Sequence, residues 1–145
     1  MRFSTGLRNH ILASGSLRAA LNGGVINMYS GTAPASADGA SPAAATLLVP
    51  ISDNGGGGGL TFESAAASGL LQKSASQVWK GTVAQSGLAT WFRFVSGADT
   101  GTSSPTETRV QGTVGVGGAD MQITDPNLTA AADQKVDFFS IFQPE

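Results

Sequence analysis

From Val25 onward the chain is cut into short β-prone runs by clusters of Gly, Ser, Pro and Asp, and this punctuation constrains its fold more than any other feature. Short strands joined by turn-forming clusters are the habit of antiparallel sandwiches and barrels. The pattern predicts a mainly β protein: an antiparallel β-sandwich, jelly-roll or Ig-like, behind a short N-terminal helical segment. Strands are expected over 25–30, 46–52, 60–63, 77–83, 88–96, 108–116, 121–124 and 135–142. Alternation assigns faces within them. Thr90, Phe92 and Phe94 share one side, with Trp91, Arg93 and Val95 on the other, and Val110, Gly112, Val114 and Val116 oppose Arg109, Gln111 and Thr113. The last run is apolar on both faces, through Val136, Phe138 and Phe142 against Phe139 and Ile141, so it is expected centrally or at a subunit contact.

Residues 5–21 carry the helical signal. Leu7 and Ile11 are four apart, as are Leu17 and Leu21, and Ala13, Ala19 and Ala20 favour helix. Ser14-Gly15-Ser16 divides the segment, Ser4 or Thr5 and then Ser16 are suited to cap the two pieces, and Asn22-Gly23-Gly24 provides a left-handed stop. This divides the chain into an N-terminal helical arm, 1–24, and a β-sandwich domain, 25–145. Loops are expected from Ser30 to Pro42, around Asp53-Asn54 and the five following glycines, and from Ser96 to Pro105.

At 145 residues the chain has the length of one domain. A formal net charge of −2 gives no overall basic footprint for nucleic acid, although Arg2, Arg8 and Arg18 precede the first acid, Asp38. With no Cys, neither disulfides nor thiolate metal sites are possible, and folding in a reducing cytoplasm fits. Asn9, His10, Ser14 and Ser16 interrupt any apolar run behind the first arginines, so no secretory signal is expected, and no stretch reaches the roughly 20 apolar residues of a membrane span. Asn127-Leu128-Thr129, which matches a glycosylation sequon, is read as chance without a secretion route.

Only 12% of residues are charged and there is a single histidine, His10, leaving few groups that can be tuned for proton transfer. His10 lacks a second His for a metal site, and no Gly-x-Ser-x-Gly elbow accompanies the serines. Gly55 to Gly59 leads into Leu60-Thr61-Phe62 with no Lys-Ser or Lys-Thr, which reads as a turn rather than a phosphate cradle. Asp120, Asp125 and Asp133 lack EF-hand spacing. Trp79, Trp91 and Phe92 beside Lys80 and Arg93 read as core aromatics rather than a base-stacking platform. Asp99 and Glu107 are too distant and loop-bound to serve as an acid pair. No enzyme, cofactor or metal is expected.

Several strings together resemble a known group. Met1-Arg2-Phe3-Ser4-Thr5-Gly6-Leu7-Arg8-Asn9-His10, Ile26-Asn27-Met28-Tyr29-Ser30-Gly31 with Ala33-Pro34-Ala35 and Ala37-Asp38, Leu60-Thr61-Phe62, Gln77-Val78-Trp79, Arg109-Val110-Gln111-Gly112-Thr113-Val114-Gly115 and Gly118-Ala119-Asp120-Met121 are similar to small virion-associated proteins of tailed bacteriophages and prophages. The resemblance spans nearly the whole chain, brings no catalytic residues, and implies a particle component located in the virion after assembly in the host bacterial cytoplasm.

Such a component gains from close packing of identical subunits, which low charge and small residues favour. The first expectation is a capsid decoration or cement protein, a trimer or ring bridging major capsid protein subunits. The alternative is a tail, connector or fibre-base component whose N-terminal helix inserts into a ring. A third reading, a carbohydrate or host-surface binding module, would use Trp79, Tyr29 and Trp91 as stacking rings. Partner contact is expected through Arg2 and Arg8 and through exposed Leu7, Ile11, Leu17 and Leu21. Neither nucleic acid nor a membrane is an expected partner.

Overall fold

A computed structural model describes residues 1–142. The elements run β1 (Arg2–Phe3), α1 (Thr5–Ala13), α2 (Leu17–Leu21), β2 (Val25–Ser30), β3 (Thr46–Asp53), β4 (Leu70–Gln72) and β5 (Trp79–Thr82). They continue with β6 (Gly87–Leu88), β7 (Trp91–Val95), β8 (Arg109–Gly115), β9 (Met121–Gln122), β10 (Asn127–Leu128), β11 (Asp133–Lys135) and β12 (Ser140–Phe142). The protein is mainly β with two short helices, as its punctuation predicts.

The strands divide unequally. A main sheet runs in the order β1-β8-β7-β2-β3-β5-β11, antiparallel at each step, and β9 lies parallel to β8. Two ribbons, β4 with β12 and β6 with β10, complete the β structure. Register places Phe3, Val110, Phe94, Ile26 and Ile51 in one row across the sheet. Against this face pack Leu7 and Leu21 from the helices, Leu60 and Phe62, and Leu71, Phe139 and Ile141 from the β4–β12 side. Phe62 meets Trp79 edge-on at 5.4 Å and Phe139 meets Phe92 edge-on at 5.6 Å, so aromatic contact joins the two layers of a sandwich-like body.

Local chemistry explains the helices. The Ser4 hydroxyl accepts from the Leu7 N–H and that of Ser16 from the Ala19 N–H, satisfying donors that a helix start leaves free. Gly23 has φ +84°, which ends the second helix as its sequence suggests.

The segment 1–24 is not a separate arm. Arg2 and Phe3 pair with β8, the Ser4 hydroxyl donates to the Glu107 carbonyl, and Leu7 and Leu21 are buried in the common core. The expected strand at 60–63 forms only isolated bridges, Gly24 with Leu60 and Phe62 with Lys73. The run 88–96 splits because Leu88 pairs with Asn127, whereas Trp91 onward pairs with β2 and β8. The run 135–142 also splits: Asp133–Lys135 closes the main sheet and Ser140–Phe142 joins β4 away from the sheet centre.

Candidate functional site

On the face opposite the aromatic core, the same register builds a polar row: Arg2, Gln111, Arg93 and Asn27 stand across β1, β8, β7 and β2. Beside Gln111 along β8 is Arg109. Arg2, Gln111, Arg93 and Arg109 together hold the loop following β2 by its carbonyl oxygens. Gln111 Nε2 donates to Pro34 at 2.8 Å, Arg2 Nη1 to Ala35 at 2.7 Å and Arg93 Nη1 to Gly39 at 2.9 Å. Arg109 Nη1 adds longer bonds to Ala37 and Asp38, both 3.4 Å.

Arg93 is buried without a carboxylate in contact. Its Nη2 donates to Gln111 Oε1 at 2.7 Å, its guanidinium lies 5.6 Å from the Trp91 ring centre, and Trp91 stacks on Tyr29 at 4.2 Å. Burial, followed by the charge of Arg109, lowers its pKa from the ordinary value. Arg109 is paired: its Nε and Nη2 donate to Asp99, and Nη2 also donates to the Thr102 carbonyl. Apart from Arg93 Nε, which is buried without a partner, the nitrogens of these two guanidinium groups are occupied by the chain itself. Their arrangement fastens two loops to a sheet face and presents no open fork for an anion.

The other titratable groups are dispersed. Asp120 accepts from the Met1 ammonium at 2.5 Å and from the Thr113 N–H at 3.0 Å, Asp133 pairs with Lys80 at 3.3 Å, and Asp125 accepts from the Asn127 N–H. Desolvation alone would raise the Asp120 pKa, but the bonds from the ammonium and Thr113 leave it below the ordinary value. Among the described residues no three His, Asp or Glu side chains gather as a metal ion requires, and no helix is long and apolar enough to cross a membrane.

The residues expected to contact a partner separate. Leu7 and Leu21 are buried in the core, which corrects their assignment as exposed contacts, and Ile11 and Leu17 lie partly buried against it. Arg2 reaches Ala35, while Arg8 is exposed and donates to Thr5 Oγ1 at 2.9 Å. Trp79 and Trp91 are buried, which removes two of the three rings assigned to sugar stacking.

No family model, curated protein or solved structure matches the chain.

Other large apolar side chains stand in solvent instead, among them Phe138 and Phe142 of the run expected centrally or at a subunit contact. Leu12 is 84% exposed, Phe138 69%, Val116 65% and Phe142 57%. The signal for two of them was present in the doubly apolar final run. What it lacked was which face the core would take: Phe139 and Ile141 turn inward, leaving Phe138 and Phe142 outside.

Proposed function

We propose that the protein is a non-enzymatic structural component of a bacteriophage virion and that it decorates the head shell as a cement protein, a homo-oligomer touching the major capsid protein. The observation that carries this reading is the set of large apolar side chains left in solvent beside a polar row that is bound internally. The arginines of the polar row are occupied internally, while Phe138, Val116, Phe142 and Leu12 remain outside on a firmly packed β body. Exposed apolar side chains on such a body suit shape-based contact between subunits better than chemistry on a small molecule. The class of particle is taken from the resemblance of the strings quoted above to virion-associated proteins.

The packing of α1 favours decoration over insertion of the N-terminal helix into a tail or connector ring. Insertion of segment 1–24 as an extended arm would require Leu7 to leave the core and β1 to leave β8.

Gold labelling of intact particles with an antibody against the exposed turn at residues 54–58 tests the proposal. Label scattered over the head is expected. Label confined to the tail or one vertex overturns decoration, and absence of the protein from purified particles overturns the virion assignment.

A further inference from the structure

The chain leaves the core after Val136 and re-enters it at Phe139, so Asp137 and Phe138 both face outward. Phe138 stands between two hollows. One, of about 380 Å³, is lined by Val116, Ile123, Lys135 and Asp137 together with Phe138. The other, of about 300 Å³, is lined by Ala119, Met121 and Phe139 with Phe138 on its rim. A ridge flanked by hollows is complementary to a second copy of itself. Charge has the same property: Lys135 and Asp137 are two residues apart, and among the described residues neither makes an ion pair.

We propose that this face joins the protein to a second copy of the same chain about a two-fold axis. Phe138 of each copy seats in the Val116-lined hollow of the other, and Lys135 of each meets Asp137 of the other. A two-fold contact repeats every pairing twice, so one cation and one anion suffice to neutralise the interface. An unrelated partner would need its own matching charges, whereas these two already match each other. Phe138 and Val116 offer on the order of 200 Å² of apolar surface, against about 800 Å² per partner in a standard stable interface. The pair is therefore weak and reversible, strengthened where many copies are held side by side.

This contact deepens the assembly reading and rests on it for its purpose, but its test is made in solution and is independent of particle labelling. Sedimentation velocity of the full chain from micromolar to millimolar concentration is expected to show reversible dimers. Phe138→Ser and Asp137→Lys should each weaken association at least about tenfold, the former through lost apolar burial and the latter by opposing like charges. The double exchange Lys135→Asp with Asp137→Lys should restore it, because the two-fold pairing is preserved. All of these positions are exposed, so the melting temperature serves as the folding control. A chain monomeric throughout, association indifferent to Phe138→Ser, or failure of the double exchange to restore it overturns the proposal. Label on heads combined with a monomeric chain overturns this contact and leaves decoration standing.

Discussion

Arg109 and Asp99 form a buried two-point ion pair, Nε donating to Oδ2 at 2.5 Å and Nη2 to Oδ1 at 2.9 Å, with both side chains withdrawn from water. This pair ties the loop after β7 to the base of β8. Removing one member leaves a buried charge that water cannot reach. Asp99→Ala is expected to cost about 3 kcal/mol in urea unfolding, because Arg109 retains only carbonyl acceptors. Replacing both residues by apolar ones should cost less than Asp99→Ala alone, a non-additivity that a double-mutant cycle reads directly.

Arg93→Lys tests the fastening of the 33–40 loop. A lysine cannot donate at once to Gly39 O and Gln111 Oε1 in the planar geometry of the fork, nor stack as well on Trp91. The expected loss is about 1–3 kcal/mol. Amide exchange should accelerate first in residues 35–39, while core strands β2 and β7 stay protected.

Two glycine substitutions separate close packing from open surface. An added Cβ at Gly6 would fall 2.2 Å from the Thr106 carbonyl oxygen, where backbone cannot yield cheaply. Gly6→Ala is expected to cost about 2–3 kcal/mol and lower the melting temperature by about 5–10 °C. At Gly117 nothing lies within 4 Å, so Gly117→Ala should change stability by less than about 0.5 kcal/mol.

Acid should act through Asp38 and Asp120. Desolvation opposes ionisation at both, yet the Thr5 bonds at Asp38 and the Met1 ammonium and Thr113 bonds at Asp120 hold each below the ordinary 3.8. A depressed folded pKa contributes stability that is complete above the unfolded value and is lost as pH falls through the folded one. Stability is therefore expected to be level above about pH 5 and to fall below pH 4. Asp120→Asn and Asp38→Asn should each make that acid limb shallower, measured as urea midpoint against pH.

Particular residues show how far the sequence reached. The caps Ser4 and Ser16, the stop at Asn22-Gly23 and the strand Val25–Ser30 depend on local backbone chemistry, and all were legible. So were the faces of β7, with Phe92 and Phe94 in the aromatic core, because alternation is a property of the strand itself. The candidate site was less legible. Leu7 and Leu21 carry the same apolar signal whether they face their own sheet or another subunit, and only the docking of α1 and α2 distinguishes these outcomes.

What the sequence determined by itself was the succession of short strands, the two capped helices and the scarcity of proton-transfer chemistry, since these follow from neighbouring residues and composition. Tertiary structure alone decided that Arg93 and Gln111 would share a row with Arg2, and that Phe138 would remain outside while Phe139 went in. Those outcomes depend on register between strands far apart in the chain and on which face the second layer covers. Both are set by the joint burial of the whole core, and no local segment encodes them.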